Sequence, residues 1–157
     1  FRSKERRKME TKKRRKKLID LYNKYKDCTN CRLGVLRKNF VFGTGNPDAN
    51  ILFIGEAPGA KEDAIGKPFV GRAGLVLTKA LESIGIDRSQ IFIANILKCR
   101  PPGNRDPLKD EISTCRPILD KQIEYIRPNV IVCLGRVSVH TLLNINKIGR
   151  ASCRERV

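Results

Sequence analysis

Three short, uninterrupted apolar runs constrain this chain more than any other feature: Ile51-Leu52-Phe53-Ile54, Ile91-Phe92-Ile93-Ala94 and Val130-Ile131-Val132-Cys133-Leu134. A strand with one wet face alternates apolar and polar residues, whereas a continuous run of four or five suits a strand buried on both faces, as in a parallel sheet. Helical patterns lie between the runs. Leu77, Leu81 and Ile84 stripe one helix that stops at Gly85. Asp106 is expected to cap a second, with Pro107 at its first position and Pro128 beyond its end. Pro117 is expected to kink that helix. Strands alternating with helices predict an α/β fold, with a short central parallel sheet and right-handed crossovers.

Upstream, residues 9–27 form a basic helical pattern with Leu18, Leu21, Tyr22 and Tyr25 along one side. A turn-rich loop follows, containing Cys28, Cys31, Gly43, Gly45 and Pro47. There is no internal repeat and no Gly/Ser linker. The expected organisation is a basic N-terminal helix over 1–26, one α/β domain over 27–147, and a tail over 148–157. The tail reads IGRASCRERV, which resembles a translated sequencing adapter, so it is expected to be non-native and to leave the last strand missing. At the other end, Phe1 and Met9, the single methionine, stand as alternative starts.

The formal net charge is +17. Residues 1–8 carry +4 and residues 148–157 carry +2, so +11 remains for residues 9–147. Such an excess favours a polyanionic partner, because each phosphate met by Lys or Arg releases counterions. A solvated basic tail is the rival explanation, since residues 1–17 hold eleven Lys/Arg against two Glu. No stretch approaches the roughly 18 apolar residues of a membrane helix, and no apolar signal opens the chain. A cytoplasmic, nucleoid-associated protein without a membrane partner is expected.

Six cysteines in a basic chain of this kind point to metal or redox chemistry more than to disulfides. Cys153 falls in the tail, and Cys133 lies inside an apolar run as a small buried hydrophobe. Cys28 and Cys31, with Cys99 and Cys115, remain as a four-thiolate set that spacing leaves open to zinc or to an iron–sulfur cluster. Cys99 is surrounded by Lys98, Arg100 and Arg105, cations suited to offset cluster charge and to meet DNA phosphate.

In open α/β sheets, ligands bind beyond the carboxyl ends of the strands. Gly55-Glu56-Ala57-Pro58-Gly59 follows the first run and Asn95 follows the second. With the CxxC at Cys28 and Cys31, these motifs resemble the family 4 uracil-DNA glycosylases. The resemblance covers residues 27–143. It continues through Glu62-Asp63, the stretch Gly-Lys-Pro-Phe-Val-Gly-Arg-Ala-Gly over 66–74, Asn95-Ile96-Leu97-Lys98-Cys99-Arg100-Pro101-Pro102, and Cys115.

That resemblance implies a three-layer uracil-DNA-glycosylase-like fold and a 4Fe-4S cluster on Cys28, Cys31, Cys99 and Cys115. It also implies excision of uracil from single- or double-stranded DNA by a monomer, in base excision repair; a sliding-clamp partner is left open. A target base has to leave the stack for a closed pocket. Gly55 and Gly59 let backbone approach it, Ala57 lines it, Phe69 stacks on the base, and Asn95 pairs with uracil O4 and N3–H. Glu56 is the implied carboxylate, orienting substrate or water, although the catalytic Asp of the better-known glycosylases aligns with Ala57. Glu62 and Asp63 are weaker candidates, and Arg100 and Arg105 are implied DNA contacts. Rival roles are core for Phe69, a loop cap for Asn95 and turn formation for the glycines.

The family's catalytic histidine lies in a His-Pro-Ser motif. The single histidine here is His140, which sits in a helical pattern without Pro-Ser. It is expected to be structural, and excision by this chain is expected to be impaired. Two other functions compete. One is a zinc-clamped nucleic-acid-binding module without catalysis. The other is a uracil-DNA crosslinking relative, whose histidine-bearing Arg-rich loop is replaced here by Lys-Cys-Arg-Pro-Pro.

Overall fold

The structure is a computed structural model that describes residues 2–144. Expectations about 148–157 and Cys153 lie outside the described residues. In chain order the elements are α1 (Arg2–Tyr25), α2 (Leu33–Leu36), β1 (Thr44–Gly45), β2 (Ile51–Gly55), α3 (Ala60–Ile65), α4 (Arg72–Ser83), β3 (Phe92–Asn95), α5 (Lys109–Ile126), β4 (Val130–Cys133) and α6 (Arg136–Leu143). Short 3-10 turns occupy Arg88–Gln90 and Pro102–Asn104.

The three apolar runs form β2, β3 and β4, which pair in parallel in the order β3-β2-β4. Their side chains divide by alternation. Leu52, Ile54, Phe92 and Ala94 face a core with Leu18 and Leu21 of α1 and Ile118, Leu119 and Ile126 of α5. Phe53, Ile91 and Ile93 face the other way, onto Leu81 of α4. The sheet is therefore sandwiched between helices, the three-layer α/β/α arrangement expected. Each such Leu, Ile or Phe contributes about 1.5–3 kcal/mol by leaving water.

Several local expectations need correction. The sheet is not purely parallel: β1 adds a two-residue antiparallel edge, with Thr44 opposite Ile93 and Gly45 opposite Phe92. Gly45 has φ +138, and a Cβ there would lie 2.0 Å from the Ile91 carbonyl oxygen, so the backbones approach this closely only at glycine. Asp106 does not cap α5. Leu108 occupies that place, and its N–H donates to the Glu111 carboxylate at 3.0 Å. The Glu111 side chain reaches back across the first turn and makes a cap at Asp106 unnecessary.

Ile84 is 69% exposed, because α4 ends at Ser83 and the chain turns away at Gly85. Cys133 is only half-buried, since β4 is the sheet edge among the described residues; Val130 and Ile131 are exposed beside it. α5 continues on both sides of Pro117. Pro117 lies on the exposed side of α5, one turn after the exposed Ser113, whose carbonyl its missing N–H cannot meet.

This topology fixes where a ligand can enter. β2 leads through α4 on one face, and β3 leads to α5 on the other. The chain therefore diverges at the carboxyl ends of two adjacent strands, the crevice position of open α/β sheets. Gly55 and Asn95 stand opposite each other there.

Candidate active site

A cavity of about 520 Å³ occupies that crevice, lined by Glu56, Ala57, Phe69, Asn95, Asn104 and Arg105 among others. Its floor depends on Gly55. A Cβ there would come within 2.5 Å of Asn95 Oδ1 and 2.6 Å of Phe69 Cζ, so the strand end, the amide and the ring meet over a residue without a side chain. The structure thus brings Gly55, Glu56, Ala57, Phe69 and Asn95 together. A wider groove of about 970 Å³ runs along α1 and segment 37–47, but none of the expected pocket residues lines it.

Asn95 is 2% exposed, yet its carboxamide makes no hydrogen bond with the described residues. Nearly all buried polar groups have partners, so an amide left open onto a cavity is a group held ready for a ligand. Glu56, half-buried, likewise makes no side-chain hydrogen bond among the described residues. Burial and the nearby Asp106 carboxylate raise its pKa above the usual carboxylate range, while Arg136 acts in the opposite sense.

Glu62 and Asp63 behave differently. Glu62 accepts from Val70 N at 3.1 Å and Gly71 N at 2.8 Å. Asp63, 3% exposed, accepts from Lys38 N at 2.9 Å and Asn39 N at 3.2 Å. Both carboxylates hold loops in place.

The two arginines expected at DNA also divide. Arg100 Nε donates to Asn104 Oδ1 at 2.8 Å, beside the cavity mouth. Arg105 forms a two-pronged pair with the fully buried Glu111, at 2.9 and 2.6 Å. Its guanidinium lowers the Glu111 pKa and is largely committed to that carboxylate.

Cys28, Cys31, Cys99 and Cys115 gather on one side of the α1–α5 core, within electrostatic reach of one another. Burial pushes the Cys99 thiol up to about 11 and raises that of Cys115. Among the described residues, however, no three Cys, His, Asp or Glu side chains converge closely enough to hold one metal ion. Four thiols are the donor type that iron–sulfur clusters use.

The cation nearest to Cys99 is not one of its chain neighbours. Arg37 donates to Cys99 Sγ at 3.2 Å and to the Cys28 carbonyl at 2.7 Å. Lys98 is buried completely, and its Nζ donates to Asn95 O at 2.8 Å and Gln122 Oε1 at 2.6 Å. That burial lowers its pKa to about 8, with Cys115 and Cys99 pulling the other way. Neither role had a local signal, because Arg37 and Cys99 are 62 positions apart and Lys98 and Gln122 are 24 apart. His140 lies on α6, with its Nε2 buried, and does not line the cavity.

Comparison with known proteins matches the family model described as the uracil DNA glycosylase superfamily over residues 42–156. The chain is similar to the Type-4 uracil-DNA glycosylase of Archaeoglobus fulgidus, with 49% identity over 82% of this chain and 64% of the relative. It shares 55% identity with the Saccharolobus solfataricus Type-4 uracil-DNA glycosylase, over 73% of this chain and 54% of the relative. The Thermotoga maritima Type-4 uracil-DNA glycosylase is 43% identical over 89% of this chain and 73% of its own length. The chain spans 64% and 54% of the first two relatives, between about half and two thirds of their length.

Proposed function

The chain belongs to the uracil DNA glycosylase superfamily, and on that premise we propose that it hydrolyses the N-glycosidic bond of uracil in DNA, leaving an abasic site. The observation that carries this reading is the Asn95 carboxamide, nearly buried, without a partner among the described residues, and set beside Phe69 over Gly55. An amide offers a donor to uracil O4 and an acceptor to N3–H. Cytosine presents the opposite pattern and would leave buried polar groups unpaired. Phe69 supplies the stacking surface for a base taken out of the helix.

In the reaction, the C1′–N1 bond breaks, water oxygen bonds to C1′, and uracil leaves carrying negative charge. Glu56 faces the cavity with its acceptors free. It orients the water and offsets the positive charge that develops on the sugar. Its raised pKa eases proton uptake from that water relative to an exposed carboxylate. His140 does not line the cavity, so the departing uracil lacks an imidazole partner among the described residues, and excision by this chain is proposed to be slow.

The proposed cofactor is a 4Fe-4S cluster on Cys28, Cys31, Cys99 and Cys115, with Arg37 offsetting its charge. When bound, it clamps the start of the domain against the sheet and takes no part in redox chemistry on the substrate. The proposed partner is uracil-containing DNA, single- or double-stranded, bound by a monomer at the nucleoid in the cytoplasm. Arg100 is the proposed phosphate contact, and Arg105 a weaker one because it holds Glu111. No helix among the described residues is long and apolar enough to cross a membrane.

The test is excision from a labelled single-stranded oligonucleotide carrying one uracil, read as alkali-sensitive abasic sites. Slow release by the parent, lost in Asn95→Ala, is expected. A parent that neither excises uracil nor binds the free base overturns the reading. Iron and sulfide should co-purify under anaerobic conditions, and stoichiometric zinc without iron would sink the cluster assignment.

A further inference from the structure

Phe69 has φ +51, a left-handed backbone that a bulky aromatic rarely adopts. Such a conformation persists where the surroundings over-determine it, and it clusters at functional sites. Two of the supports come from the helices that flank the loop, α3 and α4. Glu62 ties down the next two amides, and Gly74 lets α4 approach so closely that a Cβ there would lie 1.9 Å from the Phe69 carbonyl oxygen.

The third comes from elsewhere. Arg88, on the 3-10 turn before β3, donates from Nη1 to Phe69 O at 2.8 Å and to Thr78 Oγ1 at 3.0 Å. Its Nη2 donates to Pro68 O at 3.2 Å. Thr78 in turn donates to Gly74 O at 2.9 Å. One planar guanidinium therefore holds two successive carbonyls of the Phe69 loop and the helix packed beneath it.

Resting on the uracil reading above, we propose that Arg88 is a positioning residue for base recognition: its grip on the Pro68 and Phe69 carbonyls holds the Phe69 ring over Gly55 and Asn95. A guanidinium suits this task because its donors are fixed in a plane, so two acceptors are held in one relative orientation. A lysine, a flexible point charge, satisfies either carbonyl without fixing both. Arg88 lines no part of the cavity and acts through Phe69 alone.

The experiment combines two measurements on the full chain. Amide hydrogen exchange of residues 68–74 reports the clamp directly and needs no substrate. In Arg88→Ala it should rise about 10-fold, while exchange in β2 stays unchanged. Free-uracil affinity, measured calorimetrically, is then compared across Arg88→Ala, Arg88→Lys, Phe69→Ala and the double variant Arg88→Ala/Phe69→Ala. Phe69→Ala should lose roughly 5- to 150-fold, the range that base stacking spans. Arg88→Ala should lose part of that, Arg88→Lys should recover little, and the double variant should be no weaker than Phe69→Ala, because residues acting as one unit are not additive.

Unchanged loop exchange overturns the clamp whatever uracil does. Faster exchange with fully additive losses overturns action through Phe69. If the parent does not bind uracil while the exchange result holds, the functional reading falls, and with it the role in base recognition, but not the clamp.

Discussion

The floor of the cleft and the polar layer beneath α5 are built from similar residues with opposite outcomes. In the layer, Lys98, Glu111 and Gln122 are fully buried, and each is tied to partners: Lys98 to Asn95 O and Gln122, Glu111 to Arg105 and Leu108 N, Gln122 to Phe42 O. At the floor, Asn95 is almost as buried and Glu56 half-buried, yet neither side chain has a partner among the described residues. Burial therefore does not separate these two sets of residues; hydrogen bonding does, while away from the cleft His140 Nε2 and Arg14 Nε are also buried and unpaired. The layer fixes the position of the floor, and the floor leaves its donors and acceptors open to the cavity.

The comparison can be broken hardest at Lys98. Lys98→Ala takes the Nζ donor from Gln122 Oε1 and from the Asn95 carbonyl and opens a void in the core. A loss of about 3–5 kcal/mol is expected, measured as a lowered denaturant midpoint at constant slope. A loss under about 1 kcal/mol would show that the layer is not structural. Asn95→Ala should do the reverse, changing stability by less than about 1 kcal/mol while lowering excision by about 10²–10³, the effect of removing one polar group that faces the reacting centre. In Asn95→Asp, cytosine should become a competing substrate in the same assay, because a carboxylate accepts from its amino group.

The two arginines sharpen the contrast at smaller scale. Arg100→Ala should reduce the slope of log affinity for DNA against log salt by about one and leave the denaturant midpoint in place. Arg105→Ala should move the midpoint, by stranding Glu111, more than the slope. Identical behaviour of the pair would remove the distinction drawn between them.

The smallest effect concerns Glu56. Its folded-state pKa is raised, so between the unfolded and folded values the native state holds more protons, and stability falls as pH rises through that window. Glu56→Gln should therefore be somewhat more stable than the parent above the ordinary carboxylate range, and the advantage should fade on acidification. Thermal unfolding at a series of pH values tests this, and a variant less stable at neutral pH contradicts it. Excision by the same variant should drop, since the amide cannot take a proton from water.

Much of this was legible in the chain, for reasons that differ by residue. β2 and β3 were visible because burial on both faces writes an uninterrupted apolar run; β4 writes the same run although its residues are exposed or half-buried at the sheet edge among the described residues. Gly55, Phe69 and Asn95 were visible because the loops that carry them sit in family motifs. β1 was not, since two residues, Thr44 and Gly45, form a pairing only where a distant strand offers an edge. The start of α5 was misplaced because Asp106-Pro107 imitates a cap, and the side chain that does the work, Glu111, lies within the helix. Arg37 and Arg88 escaped notice, and Lys98 was read as a cation for cluster or phosphate where it is a buried tie, for a common reason. A surface-type residue becomes structural only through partners brought by the fold, here at separations of 62, 24 and 19 positions.

The docking of α1 has a consequence for how the protein is made. Arg14 donates to the Ile126 carbonyl at 2.8 Å, across 112 positions, and α1 packs chiefly on α5. α1 therefore gains its seat only after residue 126 has been synthesised. Long-range contacts of this kind form late, because loop closure has to be met before they stabilise anything. During synthesis a strongly cationic helix waits undocked beside ribosomal RNA, with Leu18 and Leu21 uncovered. Chaperone engagement and pausing of the nascent chain are expected to end when residue 126 clears the exit tunnel, and ribosome profiling of chaperone-bound chains would time that release.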